Sequence, residues 1–341
     1  MAEARPRATF YELQAANRLQ SILILLVFLG FVGFLGWGLD FFFLGFAPGR
    51  EGGAPVPLFT LFALAFGLLH AGVSWFGGAA QVLHATSARP ANPSDPLEKQ
   101  FVNVVEEMAI AAGLPVPKAY VVPDDDPNAF AVGRDPEHAS IAVTRGLLEK
   151  LERDELQGVV GHEMSHVRNL DIRAMTLVTA LFGAAVLLSD VSRRGLYYGG
   201  GEGRRGGSRR SNGGGGGGGA AILFLVWMLV AVLAPILARL LAMAVSRSRE
   251  YLADASAAEL TRNPLGLAAA LRKIEAAHEP TQLISQGSAH LCITDPRGLR
   301  VNEREGAFAD WFGTHPPIAR RVALLEGMAG VLGSPGSSAS P

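Results

Sequence analysis

Cysteine and charge are both scarce in this sequence. Its single cysteine, Cys292, excludes an intramolecular disulfide and a cysteine-rich metal site, so any metal must be bound by His, Asp or Glu. Charged residues make up 18% of the chain and hydrophobic residues 49%, whereas a soluble domain carries about 25% charged residues. The net charge of −1 gives no overall attraction to nucleic acid, and we expect no such partner. The composition predicts membrane segments instead.

Two long uncharged runs lie near the N-terminus, over residues 22–39 and 58–81. The first is longer than the core of a signal peptide and no small-residue cleavage site follows it, which favours a membrane anchor. The second is long enough to cross about 30 Å of hydrocarbon. The short connection predicts a transmembrane hairpin over residues 19–84, preceded by a cytoplasmic segment over residues 1–18. Basic residues flank the hairpin, and the positive-inside rule therefore puts both of its ends in the cytoplasm.

The rest of the chain divides into a soluble domain in two parts and a second membrane-associated hairpin. We expect the catalytic domain over residues 85–173 and 246–330, and a disordered tail over 331–341. Between the two parts, residues 174–245 contain two apolar runs joined by a flexible Arg/Gly-rich loop at 192–219. A basic loop on the outside would violate the positive-inside rule, so these runs either span the bilayer or form a re-entrant hairpin.

Periodicity within the soluble parts predicts a mainly α fold with a small β-sheet. Helical spacing appears in "PLEKQFVNVVEEMAIAAGLP", in "RDELQGVVGHEMSHVRN" and in the C-terminal "PIARRVALLEGM". The stretch "SREYLADASAAELTRNPLGLAAALRKIEAAHE" predicts two helices broken at Asn263–Pro264. Two short β-like runs occur in "KAYVVPDDDPNAFAVG" and "ASIAV".

The stretch "GHEMSHVRNLD" carries the strongest chemical signal. His162 and His166 are four residues apart, so a helix presents both imidazoles to one Zn²⁺ ion. Glu163 is displaced by about 100° around the helix, which suits a general base that takes a proton from water at the metal. Apolar neighbours predict that the helix is buried, where ionisable groups without a partner are costly. The spacing therefore predicts a metalloprotease site rather than a chance cluster.

A catalytic zinc needs a third protein ligand. "SRSREYLAD" offers Glu250 and Asp254, which are again four residues apart, so that one can bind zinc while the other orients a ligand histidine. The alternative is an exposed face on which these acids pair with Arg247 and Arg249. Spacing alone does not decide between the two.

Five stretches, in this order, resemble the membrane-embedded M48 zinc metalloproteases, in the branch of the heat-shock protease HtpX. They are "NAFAVG", "VTRGLLEKL", "GHEMSHVRNLD", "SRSREYLAD" and "THPPIARRVALL", within a resemblance that covers residues 95–326. The resemblance implies an integral membrane protein with a zincin fold of the gluzincin type. The Arg/Gly-rich loop is longer than expected for the family.

The resemblance also implies roles for individual residues. His162, His166 and Glu250 would bind one zinc ion per chain, Glu163 would be the catalytic base, and Asp254 would orient a ligand histidine. Three further roles are implied: His315 would stabilise the oxyanion, Arg321 would position His315 or the substrate, and Asn128 would bind an extended substrate backbone. For His315 the alternative is a cap on the last helix.

The implied activity is that of a zinc metalloendopeptidase. It would be a multi-pass protein of the inner membrane, in contact with the lipid bilayer, with its catalytic domain in the cytoplasm. Its substrates would be polypeptides, namely misfolded or damaged membrane proteins, in protein quality control and the stress response. One alternative is a maturation or prenyl-peptide protease of narrow specificity. The other is an inactive membrane scaffold, which the presence of Glu163 and of every expected ligand disfavours.

Overall fold

The structure is a computed structural model that describes residues 10–44, 56–181, 247–277, 283, 291–294 and 316–333. The chain divides into two compact units. The first consists of Met1–Ile22, Ser74–Ala180 and Leu240–Pro341, and the second of Leu23–Val73 and Leu181–Arg239. Most of the predicted second hairpin, with its Arg/Gly-rich loop, lies outside the described residues.

Two long helices form the N-terminal part. Helix α1 covers Phe10–Leu39 and continues as a π-helical turn over Asp40–Leu44, and helix α2 covers Leu58–Ala85. The segments Gln14–Phe42 and Leu58–Ala85 have mean hydropathies of 2.6 and 1.7 and are long enough to cross a membrane. Both runs that the sequence predicts as spans are therefore helical and long enough for that role.

Asp40 is a buried acid of the second unit, and its hydrogen bonds explain why it is buried. Its carboxylate accepts hydrogen bonds from the backbone N–H groups of Phe59 and Thr60, at 3.1 and 2.8 Å. These N–H groups belong to the first turn of α2, which has no partner for them inside the helix. The acid therefore caps α2 and ties it to the end of α1.

The first unit contains a small mixed sheet surrounded by helices. The strands are β1 (Arg89–Pro90), β2 (Lys118–Val122), β3 (Ala129–Val132) and β4 (Ser140–Thr144), in the order β1-β2-β4-β3. Strands β2 and β4 are parallel, and the other pairs are antiparallel. The helices are α3 (Pro96–Ala112), α4 (Arg145–Lys150), α5 (Arg153–Arg168), α6 (residues 171–181), α7 (Arg247–Thr261), α8 (Pro264–Ala276) and α9 (Ile318–Gly333).

This architecture confirms a mainly α fold with a small sheet, with two corrections. The run "KAYVVPDDDPNAFAVG" is two strands, β2 and β3, rather than one, because "PDDDPN" between them turns the chain so that the strands flank β4. In addition, α9 continues to Gly333, past the predicted start of the tail at residue 331.

Local sequence explains where the helices begin and end. The Asp95 side chain accepts hydrogen bonds from two N–H groups of the first turn of α3, and Gly113 ends that helix with a φ of 65°. Asn263 caps α8 in the same way, through the N–H of Gly266. The predicted break at Asn263–Pro264 is confirmed.

Helix α5 packs closely against its neighbours in the core of the first unit, and at Gly158 the packing leaves no room for a side chain. A Cβ atom on Gly158 would lie 2.7 Å from the backbone nitrogen of Leu267 in α8. A Cβ on Gly161 would lie 3.5 Å from the Cα of Ala257 in α7. Helix α5 therefore packs directly against α7, the helix that carries Glu250, and this contact assembles the site.

Candidate metal centre

The two histidines of α5 face one point. Their Nε2 atoms lie 3.2 Å apart and their rings are inclined at 84°, one helical turn apart. His162 is 1% exposed and His166 is 4% exposed. Helical spacing thus brings both imidazoles together inside the protein, as the sequence predicts.

Glu250 completes a group of three at this point. Its Oε2 lies 3.6 Å from Nε2 of His162, and its Oε1 lies 3.6 Å from Nε2 of His166. The side chain is buried, so the alternative of an exposed, salt-bridged face is wrong. Among the described residues, His162, His166 and Glu250 form the one group of three that could hold a metal ion.

Each histidine has a carboxylate on its other ring nitrogen. Nδ1 of His162 lies 3.0 Å from Asp254, and Nδ1 of His166 lies 3.1 Å from Asp171. A carboxylate only accepts hydrogen bonds, so both protons belong on Nδ1 and both Nε2 lone pairs face Glu250. Two acceptors 3.2 Å apart repel each other unless a cation lies between them. This pattern is typical of metal-binding histidines.

Asp171 is a site residue that the sequence reasoning missed. It lies within the motif "GHEMSHVRNLD", but beyond the end of α5, where helical spacing gives no guidance. The available signal was chemical, because each ligand histidine is expected to donate to a partner. Asp171 is held by the amide of Asn17 at 2.7 Å and by Arg249 at 3.2 Å, and these contacts join three distant parts of the first unit.

Arg321 occupies the opposite side of the site and is fully buried. Its Nε and Nη2 donate to the two oxygens of Asp254 at 2.8 and 2.7 Å, and its Nη1 donates to the carbonyl of Ile293 at 2.9 Å. Nη1 also lies 3.7 Å from Glu250. The guanidinium group therefore orients the carboxylate that orients His162.

The acids make the site favourable for positive charge. Burial disfavours protonated His162, but its interactions with Asp254 and Glu250 outweigh burial and raise its pKa to about 9. Burial likewise opposes the charged form of Asp254, yet Arg321 lowers the pKa of this carboxyl to about 2. The pKa of His166 is raised as well, since its interaction with Asp171 outweighs the opposing effect of burial.

The residues present fit a zinc ion. Tetrahedral zinc with nitrogen ligands at 2.0–2.1 Å requires ligand atoms about 3.3 Å apart, close to the observed separations of 3.2 and 3.6 Å. The buried carboxylates at the site are Asp171, Glu163, Glu250 and Asp254, and the nearby cations are Arg249 and Arg321. A histidine that binds a metal gives up its extra proton and is neutral. Four acids against two guanidinium groups then leave two negative charges, which one divalent cation would balance.

Glu163 lies beside the histidine pair and is 1% exposed. It follows His162 directly, so it is rotated away from the face that presents the two Nε2 atoms. Its charge interacts with Arg321. A carboxylate beside the histidine pair is suited to accept a proton.

The other predicted site residues differ in their placement. The amide of Asn128 donates to the carbonyl of Thr294 at 3.3 Å, and the N–H of Ile293 donates to the carbonyl of Ala129 at 2.9 Å. The chain's own segment 291–294 therefore pairs with the outer edge of β3, where the predicted substrate strand would bind. A substrate could join that edge only by displacing this segment. His315 lies outside the described residues.

Known proteins resemble the chain over most of its length. The family model of peptidase family M48 matches residues 97–329. A protease HtpX homolog of Thermoanaerobacter pseudethanolicus is 40% identical over 324 residues, which are 94% of this chain and 99% of the relative. A protease HtpX homolog of Levilactobacillus brevis is 47% identical over 229 residues, which are 67% of this chain and 73% of the relative. The crystal structure of S. mikatae Ste24p matches 93% of this chain and 67% of that chain, at 17% identity and a TM-score of 0.47. The first three matches establish that the chain belongs to peptidase family M48.

Proposed function

We propose that the chain is a zinc-dependent endopeptidase of the cell membrane. His162, His166 and Glu250 bind one zinc ion per chain, and Glu163 is the general base. The observation that supports this assignment best is the convergence of two imidazole Nε2 atoms and one carboxylate, with both Nδ1 atoms on buried carboxylates. We infer a gluzincin-like zincin site from this arrangement.

The chemistry divides among the residues of the site. A bound zinc ion supplies Lewis acidity toward a water molecule and the scissile carbonyl. Glu163 accepts the proton that the attacking water loses and returns it to the leaving amine. Asp254 and Asp171 keep the Nε2 lone pairs of the histidines available, and Arg321 keeps Asp254 ionised and fixed.

Two further roles come from the sequence alone. His315 would donate a hydrogen bond to the oxyanion of the tetrahedral intermediate. Asn128 and the adjoining edge of β3 would bind an extended substrate backbone, once segment 291–294 has left that edge.

The substrates we propose are misfolded or damaged membrane proteins. Candidate spans Gln14–Phe42 and Leu58–Ala85 would anchor the protein in the bilayer, with the peptidase domain on the cytoplasmic side. The relatives are named protease HtpX homologs, and a quality-control role fits that name. A peptidase fixed at the membrane meets unfolded polypeptide where it leaves the bilayer.

The metal assignment is tested by measuring zinc per chain in the detergent-purified protein after dialysis against a mild chelator. Wild type should retain about one zinc, whereas Glu250→Ala should lose most of it, because two histidines alone hold zinc weakly. Glu259→Ala is the matched control, since Glu259 is an exposed glutamate of the same helix. Equal zinc retention by all three proteins would remove Glu250 from the ligand set.

Wild type and chelator-treated protein should also be compared for cleavage of an unfolded membrane protein. Cleavage should stop with the chelator and return when zinc is restored. Cleavage that continues at full rate without metal would contradict the proposed function.

A further inference from the structure

The exposed apolar surface of α2 ends abruptly. Large apolar side chains more than a third exposed occur along this helix from Leu58 to Phe76, and Phe76 itself is 74% exposed. Beyond it, Val82 and Leu83 are buried. At 1.5 Å per residue, the exposed stretch is about 28 Å long, close to the thickness of the hydrocarbon core. In the proposed membrane location, the hydrocarbon therefore ends near Trp75 and Phe76.

The exposed apolar surface of α1 begins near the same hydrocarbon boundary. Its first large exposed side chain is Leu19, which is 68% exposed and directly follows the exposed Arg18. Burial lowers the pKa of the Arg173 guanidinium most, and the positive charge of Arg18 lowers it further. Arg18 is therefore close to Arg173. Both helices thus change from apolar to basic surroundings around Arg173.

A small cavity lies at this level, within the first unit. Ser74, Trp75, Gly133, Arg134 and Arg173 are among the residues that line it. The guanidinium of Arg173 lies 5.3 Å from the centre of the Trp75 ring. An aromatic wall with basic residues at its rim is typical of side chains at a membrane interface.

The cavity carries more positive than negative charge. The guanidinium of Arg134 lies 5.4 Å from the centre of the Phe76 ring, and its Nε lies 3.3 Å from Asp135. Arg173 donates through Nε to the carbonyl of Arg134 at 2.6 Å. Among the residues that the structure describes, its two Nη groups have no other hydrogen-bond acceptor, so they can bind a ligand. In the described part of the chain, no carboxylate lies within ion-pair distance of Arg173. Arg18, Arg134 and Arg173 bring three positive charges to this region, and Asp135 offsets one of them.

We propose that this cavity binds the phosphate of an anionic phospholipid of the cytoplasmic leaflet. Arg173 holds the phosphate with its Nη groups, because a guanidinium matches the geometry of phosphate oxygens. The acyl chains begin against Phe76, the last large exposed apolar side chain of α2, which also lines the cavity. A zwitterionic headgroup fits less well, because its cation would face the arginines. The site rests on the membrane location proposed above.

Lipid retention measured by native mass spectrometry tests the site directly. Wild type, Arg173→Gln and Arg134→Gln are purified in a neutral detergent and incubated with phosphatidylglycerol or phosphatidylcholine. Wild type should retain phosphatidylglycerol in preference, and each variant should retain it about fivefold less, as expected for one lost cation near the headgroups. Arg153→Gln is the charge-matched control, because Arg153 pairs with Glu107 outside the cavity, and it should behave as wild type.

Three outcomes would overturn the proposal. They are equal retention of the two lipids by wild type, unchanged retention by both cavity variants, and complete release of the lipid by millimolar inorganic phosphate. If Arg173→Gln lowers the melting temperature, Arg134→Gln decides alone, since the bond from Arg173 reaches only the backbone carbonyl of Arg134. Bound lipid is counted by mass, so the result does not depend on whether the protein cleaves a substrate.

Discussion

Replacing Arg321 by methionine should destabilise the first unit strongly, even without metal. The change removes two hydrogen bonds to Asp254 and one to the carbonyl of Ile293, and it leaves the Asp254 carboxylate 3% exposed without its main cation. Breaking a buried ion pair from one side costs about 3–5 kcal/mol. For a unit of this size, that cost corresponds to a fall of about 6–20 °C in melting temperature.

The assay is thermal unfolding in detergent with excess chelator, followed by near-UV circular dichroism. Arg320→Met is the matched control, because Arg320 is the exposed neighbour in the same helix. Adding Asp254→Leu to Arg321→Met should recover part of the loss, since no unpaired charge then remains buried. A melting temperature of Arg321→Met within about 2 °C of that of Arg320→Met would show that the pair of Arg321 and Asp254 does not stabilise the unit in this way.

Three further predictions concern the support of the site and the fold. Asp171→Asn leaves the three proposed ligands in place but should weaken zinc binding by about 10–100-fold. Competition with a chromophoric chelator measures this affinity, and an unchanged affinity would mean that the Asp171 carboxylate does not support the metal site. Gly158→Ala should cost about 1–3 kcal/mol, because its Cβ would lie 2.7 Å from a backbone nitrogen of α8. A Cβ at Gly327 would meet open space, so Gly327→Ala should stabilise the protein by up to about 1 kcal/mol. Denaturant unfolding measures both changes, and changes of the same sign in the free energy of unfolding would contradict this pair of predictions. The hydrogen bond from Arg89 lowers the pKa of Glu98 below its usual 4.5 and outweighs burial, which raises it. This group therefore contributes stability above pH 4.5 that is lost as the pH falls through its folded pKa. The melting-temperature advantage of wild type over Glu98→Gln should therefore shrink from pH 6 to pH 3, and an advantage that does not change would refute the role of that ion pair.

The local part of the site follows from the sequence because it depends on spacing within one helix. His162 and His166 come together through helical periodicity, and Glu163 follows from its neighbour. The caps at Asp95 and Asn263 are likewise local, so the helix boundaries there are predictable.

The remaining parts depend on contacts between distant segments. Asp171 receives its orientation from Asn17, more than 150 residues away in the chain. The pairing of segment 291–294 with β3 joins strands separated by about the same distance, and no periodicity marks it. Arg321 lies on an amphipathic helix whose pattern does not reveal that this cation is fully buried. Such features arise only when the helices pack.

The central claim is tested most directly by the turnover of Glu163→Gln, measured together with its zinc content. The substitution removes a base and no ligand, so the variant should keep about one zinc per chain and its melting temperature. Cleavage of an unfolded membrane protein should fall by about 10²–10⁴-fold, while Glu149→Gln, a change at an exposed glutamate paired with Arg145, should leave it unchanged. Turnover by Glu163→Gln at the wild-type rate, with zinc bound, would contradict the account.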